Sequence, residues 1–147
     1  MITWTCKTFA RLTPDELYAI LRLRSEVFVV EQNCVFLDMD NKDQRCHHLM
    51  GWQDDLLVGY SRVLRSGISY VESSIGRVVT SPAVRRLGVG RELINKSIDT
   101  LYRLYGKQPI RIGAQCYLIK FYESFGFVQK GEIYLEDGIE HIEMLLL

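Results

Sequence analysis

The chain has 147 residues, 48% of them hydrophobic, which is enough to bury the core of a single domain over residues 1–147. Its 18 Lys and Arg residues balance its 18 Asp and Glu residues, so we expect no nucleic-acid or membrane partner. No apolar run approaches the ~20 residues of a membrane span and no signal-peptide pattern is visible, so we expect a cytoplasmic protein.

Metal-ligand and disulfide patterns are weak. The four cysteines, Cys6, Cys34, Cys46 and Cys116, lack the short paired spacings of a zinc site or a disulfide framework, so we expect reduced thiols. The run Cys46-His47-His48 is the one cluster of metal-ligand type, and we expect no metal there.

The N-terminal residues predict a strand followed by a helix. Residues 1–9 alternate weakly, as an edge strand does. The run Thr13-Pro14-Asp15-Glu16 combines an N-cap, a first-turn proline and a capping-box glutamate, which together start a helix. Arg24 interrupts the apolar stripe of this helix, so we expect it to pair with a buried carboxylate.

The helical pattern ends near Val29, and an acid- and amide-rich loop follows as far as Asp43. A loop of this length is either solvated or functional. Residues 48–52 and 56–64 then predict a hairpin that turns at Asp54-Asp55.

The stretch from residue 75 to residue 91 is the most informative part of the chain. Residues 75–80 are β-branched and predict a buried strand, which Ser81-Pro82 ends. The turn at residues 85–91 reads Arg-Arg-Leu-Gly-Val-Gly-Arg, and an apolar pattern of helical period follows it. Glycines at a helix N-terminus expose backbone N–H groups, and the helix dipole favours negative charge there. We therefore predict that this turn binds a phosphate-bearing ligand; a basic turn that only caps the helix is the alternative.

Two common nucleotide motifs do not fit this turn. A P-loop requires Gly-Lys-Ser/Thr, but Gly90 is followed by Arg91-Glu92. A dinucleotide fingerprint requires a third glycine where Leu93 stands.

The C-terminal part predicts a strand, a short helix and a hairpin. Gln108-Pro109 ends the long helix, and residues 110–114 predict a strand parallel to residues 75–80. A short helix then ends at Gly126, and two strands follow with a turn at Glu136-Asp137-Gly138.

The pattern Arg-x-x-Gly-x-Gly at Arg85, Gly88 and Gly90 resembles the coenzyme A pyrophosphate loop of the GNAT acyl-CoA N-acyltransferase superfamily. The order and spacing of the residues after the next strand are also similar to that superfamily; these are Gln115, Tyr122 and Phe125-Gly126-Phe127. Residues 27–32 and 136–141 resemble its bacterial ElaA-like branch.

The resemblance implies an α+β fold. Its twisted mixed sheet has six to seven strands, the fourth and fifth of which splay apart around acyl-CoA, and about four helices flank it. The pantetheine arm of acetyl-CoA would bond main-chain groups of Val78, Val79 and Thr80. The pyrophosphate would lie on the turn formed by Arg85, Arg86, Leu87, Gly88, Val89, Gly90 and Arg91. Gln115 stands where many relatives place an asparagine that contacts the coenzyme.

The resemblance also implies direct attack of an amine on the thioester, so Cys116 needs no catalytic role. A base must take the ammonium proton and an acid must protonate the departing thiolate. Tyr122 stands at the position of the acid, and a phenol with a reference pKa of about 10 is protonated at neutral pH; a purely structural core aromatic is the alternative. Ser74 stands where some relatives carry a glutamate, and the base stays open among Glu31, Glu72 and His48.

We expect the acceptor to be a cationic or neutral primary amine. Acidic residues concentrate in two segments expected to border the amine side, and clustered negative charge attracts cations; solvated loops are the alternative. These residues are Glu31, Asp38, Asp40, Asp43, Glu136, Asp137 and Glu140. The alternative function is a non-catalytic acyl-CoA-binding module, and the sequence does not decide between a monomer and a homodimer.

Overall fold

Seven strands and three α-helices make up the protein in a computed structural model that describes residues 1–147. One antiparallel sheet contains, in spatial order, β1 (Thr3–Thr8), β2 (His47–Gln53), β3 (Leu56–Leu64) and β4 (Ser74–Thr80). The other contains β5 (Ile110–Gln115), β7 (Ile139–Leu146) and β6 (Val128–Glu136) in that order. The helices are α1 (Pro14–Arg24), α2 (Val89–Tyr105) and α3 (Ile119–Glu123). No helix combines the length and the apolar character needed to cross a bilayer.

Strands β4 and β5 touch at one point only. A single parallel bridge joins Ser73 to Ile110, where the Arg111 N–H donates to the Ser73 carbonyl at 2.9 Å. No ladder joins the two strands beyond that bridge. The predicted splay of the fourth and fifth strands is therefore confirmed. The predicted mixed sheet is two antiparallel sheets joined at this bridge, and three α-helices stand where about four were expected.

The start of α1 follows the local sequence signals. Thr13 Oγ1 accepts the Glu16 N–H at 3.1 Å, and Glu16 Oε1 accepts the Thr13 N–H at 2.8 Å, which completes the predicted capping box. The helical segment ends at Glu31, two residues beyond the predicted end near Val29, because a π-helical segment, Ser25–Glu31, continues α1. Its run of β-branched residues crowds an α-helix, and bonds such as Cys34 N–H to Val29 O span five residues.

Two hydrophobic clusters cover opposite faces of the first sheet. Helix α1 packs on one face through a cluster that includes Ile20 and Val79, and α2 packs on the other through a cluster that includes Ile75 and Ile94. Residues 75 and 79 would share a face in a regular strand. They do not, because a bulge at Arg77, which has a φ of 50°, shifts the alternation by one residue.

Three arginines and three aspartates form a buried ion-pair network between α1, the following loop and strands β3 and β4. Its members are Arg24, Arg62, Arg77, Asp38, Asp40 and Asp43. The Arg24 side chain is fully buried and donates to Asp38 Oδ2 at 2.7 Å and to Asp43 Oδ1 at 3.0 Å. The predicted pairing of Arg24 with a buried carboxylate is confirmed.

The network removes three residues from the predicted negative cluster. Asp38, Asp40 and Asp43 each contact two arginines, so their charges are compensated inside the protein. Burial alone would raise the pKa of Asp40, but hydrogen bonds from Arg62 and the charge of that arginine hold it well below its usual range. The expectation that these aspartates present free negative charge to an amine is therefore not supported.

We expect Arg24→Met to lower the free energy of unfolding by roughly 3–5 kcal/mol, since it removes a fully buried cation and leaves Asp38 and Asp43 with one arginine each. Denaturant unfolding at pH 7 measures this change. Arg22→Met is the matched control, because Arg22 is 67% exposed and pairs with Glu26 at 3.7 Å on the helix surface; it should change stability by about 0.5 kcal/mol or less. Equal effects of the two substitutions would contradict a stabilising role for the network.

Acid should weaken the same network. Carboxylates whose folded pKa is depressed contribute stability that is present above their unfolded pKa of about 4 and is lost as the pH falls. The pKa values of Asp40 and Asp43 are both depressed. We therefore expect the free energy of unfolding to fall from about pH 5 downward, and to fall less steeply in Asp40→Asn than in the exposed-turn control Asp55→Asn. Parallel curves for the two variants would refute this.

Candidate functional site

The splay leaves one edge of β4 without a strand partner. On its other edge, Val79 and Thr80 pair with Tyr60 and Gly59 of β3, whereas Val78 lies in the bulge and has no partner residue there. Toward β5, the ladder stops at Ser73. Main-chain groups on this open edge are therefore available to an extended ligand that enters the gap.

The turn after β4 ends in a helix N-terminus with unpartnered N–H groups. Gly88 caps α2 with a φ of 81°, a conformation that a residue with a side chain adopts at a cost. The N–H groups of residues 88–91 donate to no acceptor in the protein. Four such amides stand at the start of a 17-residue helix, and free N–H groups at a helix N-terminus favour an anion.

The three arginines of this turn have different environments. Arg86 is exposed and makes no ion pair or hydrogen bond within the protein. Arg91 donates to Ser124 Oγ at 2.9 Å and lies over the Phe125 ring, 4.7 Å from its centroid. Arg85 pairs with Glu31, which lies at the end of the π-helical segment. Arg86 is thus the charge of this turn with no protein partner.

The residues after the π-helical segment reach across the gap to the second sheet. Gln32 and Gln115 exchange amide hydrogen bonds of 3.3 and 3.4 Å, which places Gln115 at the gap. Cys34 Sγ donates to the carbonyl of Asp137, in the β6–β7 turn, at 3.1 Å. This short stretch therefore contacts the end of β5 and the last hairpin at once.

Tyr122 lies in α3 with its ring in the core and its hydroxyl free. The ring packs edge-on against Phe121 and Phe127, at centroid distances of 5.3 and 5.8 Å. The hydroxyl has no hydrogen-bond partner in the protein. Only one side-chain polar atom, Arg62 Nε, is both fully buried and without a partner, so the Tyr122 hydroxyl keeps some contact with solvent. Burial raises the pKa of Tyr122 well above that of an ordinary phenol, so it stays protonated at neutral pH.

The three predicted base candidates are already engaged. His48 is fully buried; its Nε2 bonds to the Asp43 carbonyl at 2.9 Å and its Nδ1 to the Tyr60 hydroxyl at 2.7 Å. Burial lowers its pKa. Glu72 accepts two bonds from Arg111, at 3.0 and 3.1 Å, and this pairing lowers its pKa. Hydrogen bonding to Arg85 likewise lowers the pKa of Glu31. Both carboxylates are thus paired with an arginine, and both ring nitrogens of His48 are bonded.

The Cys46-His47-His48 run does not converge on one point. Cys46 Sγ donates to the Lys42 carbonyl at 3.1 Å, while His47 Nδ1 lies 3.1 Å from the Tyr105 hydroxyl. No group of three or more His, Cys, Asp or Glu side chains is placed to hold a metal ion.

One histidine near the gap escaped the sequence-based prediction. His141 pairs directly with Gln115 across β5 and β7, and its ring stacks on Tyr134. The available signal was its place in the Glu136–His141 stretch that resembles the ElaA-like branch. Its strand register, which brings it to the gap, could not be predicted from that stretch alone.

Comparison with known proteins agrees with this geometry. Residues 14–147 match the family profile described as "Acetyltransferase (GNAT) domain". Protein ElaA of Escherichia coli strain K12 is 43% identical over 146 residues, which cover 98% of this chain and 95% of ElaA. Among solved structures, an acyl-CoA N-acyltransferase from Pseudomonas aeruginosa matches over the whole of both chains with a TM-score of 0.95 and 43% identity.

Two further structures show how far the fold extends. The E. coli ElaA crystal structure matches over the whole of both chains with a TM-score of 0.93 and 42% identity. An aminoglycoside 6'-N-acetyltransferase complexed with coenzyme A shares the fold, with a TM-score of 0.67 and 15% identity over 96% of this chain and 95% of that one. The profile match and the relatives together show that this chain belongs to the GNAT acetyltransferase family.

Proposed function

We propose that the protein transfers the acetyl group of acetyl-CoA to a primary amine of a small molecule or peptide, by direct attack in a ternary complex. The observation that carries this proposal is that the open edge of β4 leads directly to the four unpartnered amides at the start of α2. That a protein of the same fold was solved with coenzyme A supports the choice of ligand.

The residues present fit acetyl-CoA. The pyrophosphate would accept hydrogen bonds from the N–H groups at the N-terminus of α2. The Arg86 guanidinium could pair with it, because no acidic residue of the protein competes for that charge. The pantetheine arm would follow the edge of β4 along Val78, Val79 and Thr80. Its amide groups suit an edge that offers backbone donors and acceptors.

The chemistry requires proton movements around one substitution. The acetyl thioester supplies the activated carbonyl. The acceptor ammonium first loses a proton to a base, and its nitrogen then bonds to the carbonyl carbon and releases a second proton to solvent. The carbon–sulfur bond breaks, and the Tyr122 hydroxyl gives its proton to the departing sulfur. Tyr122 suits this role because its hydroxyl is free and burial keeps it protonated.

The acidic residues of the last hairpin are the ones left to attract a cationic acceptor. Asp38, Asp40 and Asp43 are compensated by arginines, and Glu31 pairs with Arg85. Glu136, Asp137 and Glu140 stand at the β6–β7 turn, and no arginine or lysine pairs with them. We therefore place the acceptor amine on this side of the gap.

A non-catalytic acyl-CoA-binding module is the second candidate function. It is favoured by one observation: Glu31 and Glu72 are each paired with an arginine, and both ring nitrogens of His48 are bonded. Release of free thiol from acetyl-CoA on addition of an amine, measured against a control without protein, separates the two functions.

We expect Gly90→Val to weaken coenzyme A binding at least about tenfold, a loss of about 1.4 kcal/mol, because side-chain atoms there would crowd the phosphates. A Cβ at this position meets only Phe121 Cζ, at 3.9 Å, so the fold has room for it. Calorimetry with coenzyme A measures the affinity, and thermal unfolding checks the fold. The control is Asn95→Val, on the exposed surface of the same helix; if both variants bind like the unmodified protein, the proposed site is incorrect.

We expect Tyr122→Phe to lower kcat by about 10²-fold while leaving KM for acetyl-CoA unchanged, since it removes the proton donor and keeps the aromatic packing. Steady-state thiol release with an accepted amine measures both constants. Tyr102→Phe, on α2 beside the same core cluster, serves as the control. Full activity of Tyr122→Phe would remove Tyr122 from the mechanism.

A further inference from the structure

The second sheet has a polar face opposite its hydrophobic core. On β5, Ile110, Ile112 and Ala114 enter the core, so Arg111, Gly113 and Gln115 face the other way. On β7, Ile142 and Met144 enter the core, so His141 and Glu143 share that polar face. The face therefore carries the titratable groups nearest to the gap between β4 and β5.

The strand register places His141 next to Gln115, the last residue of β5. Gln115 lies at the gap, where it exchanges amide hydrogen bonds with Gln32. Gln115 in turn pairs with His141, and His141 pairs with Tyr134 of β6. One row thus runs from Gln32 across the gap through Gln115 to His141 and Tyr134.

The contacts of His141 leave one ring nitrogen free. Nδ1 lies 2.8 Å from the carbonyl of Ile139, which can only accept, so the neutral ring carries its hydrogen on Nδ1 and a lone pair on Nε2. The atom nearest to Nε2 among possible partners is Glu136 Oε2, at 3.6 Å. Nε2 has no hydrogen-bond partner in the protein, but it is not fully buried, so solvent or a small substrate reaches it. His48, by contrast, has both nitrogens bonded.

Aromatic packing fixes the orientation of this ring. The imidazole stacks on Tyr134 with a centroid distance of 5.7 Å and an interplanar angle of 26°. A Cβ at position 113 would stand 2.8 Å from the Tyr134 hydroxyl and 3.0 Å from the Tyr70 hydroxyl. The missing side chain of Gly113 therefore makes room for the two phenols. Burial raises the pKa of both tyrosines, so neither competes with the imidazole as a base near neutral pH.

We propose that His141 Nε2 is the general base of the reaction; this rests on the acetyltransferase function proposed above. The acceptor ammonium gives one N–H proton to Nε2, which leaves a neutral amine lone pair and an imidazolium. The amine nitrogen then bonds to the thioester carbon, the carbon–sulfur bond breaks, and Tyr122 protonates the sulfur. The second amine proton and the imidazolium proton leave to solvent, and solvent returns a proton to Tyr122.

Glu136 stabilises the imidazolium in this scheme. Its carboxylate faces Nε2 from β6, while Glu143, the other carboxylate of the polar face, already accepts from Arg111 at 3.0 Å. The remaining titratable groups around the ring are the phenols of Tyr134 and Tyr70 and the thiol of Cys116, which begins the turn after β5.

The test compares the unmodified protein with His141→Gln, using an amine shown to release thiol. We expect kcat/KM to fall by about 10²–10⁴-fold and the acidic limb of its pH profile to disappear, with the affinity for coenzyme A unchanged in calorimetry. Retention of the full rate and of the acidic limb would overturn the assignment. So would a variant that stays folded but no longer binds coenzyme A, because that places His141 in the coenzyme site.

A second variant keeps the proposal testable if His141→Gln folds poorly. Glu136 is 61% exposed, so Glu136→Gln should fold normally, and its acidic limb should move to lower pH because the imidazolium loses its carboxylate. Glu132→Gln, an exposed position on β6 with no role in the proposed site, should leave the limb in place. An unmoved limb in Glu136→Gln overturns the assignment. Coenzyme binding without any amine-dependent thiol release in the unmodified protein overturns both the acetyltransferase function and this inference, whereas turnover insensitive to both substitutions overturns only the inference.

Discussion

The fold depends on the failure of β4 and β5 to pair beyond one bridge. Backbone N–H and C=O groups inside a protein are almost always hydrogen-bonded, so an internal strand edge without a neighbour is costly unless a ligand or water completes it. Here the edge begins at Ser73 and ends beside the N-terminus of α2, where four more amides lack partners. The turn at residues 81–87 connects the two unsatisfied regions, and a long ligand with amide groups at one end and phosphates at the other would complete both.

The arginine–aspartate network holds β4 in the conformation that leaves this edge open. Arg77 has a left-handed backbone at the bulge of β4, and its guanidinium bonds Asp38 at 2.8 Å. Asp38 also bonds Arg24, the fully buried last residue of α1. The bulge that leaves Val78 unpaired is thus anchored to the first helix. Buried ion pairs tolerate little displacement once formed, because separating them leaves an unpaired charge in a medium of low dielectric constant.

Local chemistry could be predicted from the sequence, and long-range register could not. The capping box at Thr13 and the glycines before α2 act within a few residues, so both were predicted correctly. The partners of Arg24 lie 14 and 19 residues away and depend on how the loop folds back. His141 reaches the gap only through the pairing of β5 with β7, which a sequence pattern does not specify. The π-helical segment was missed because its residues follow the α1 pattern with a different number of residues per turn.

The number of residues in the π-helical segment, Ser25–Glu31, determines which side chains meet across the cleft. Its hydrogen bonds span five residues rather than four, and at its end the adjacent Glu31 and Gln32 reach Arg85 on one side and Gln115 on the other. One residue corresponds to about 100° of rotation in an α-helix. Deleting a single residue from Ser25–Glu31 would therefore turn both side chains away from their partners while leaving the composition of the cleft unchanged. In a relative that lacks one residue of this segment, the residues aligned with Glu31 and Gln32 would therefore point in other directions, even where their types are the same.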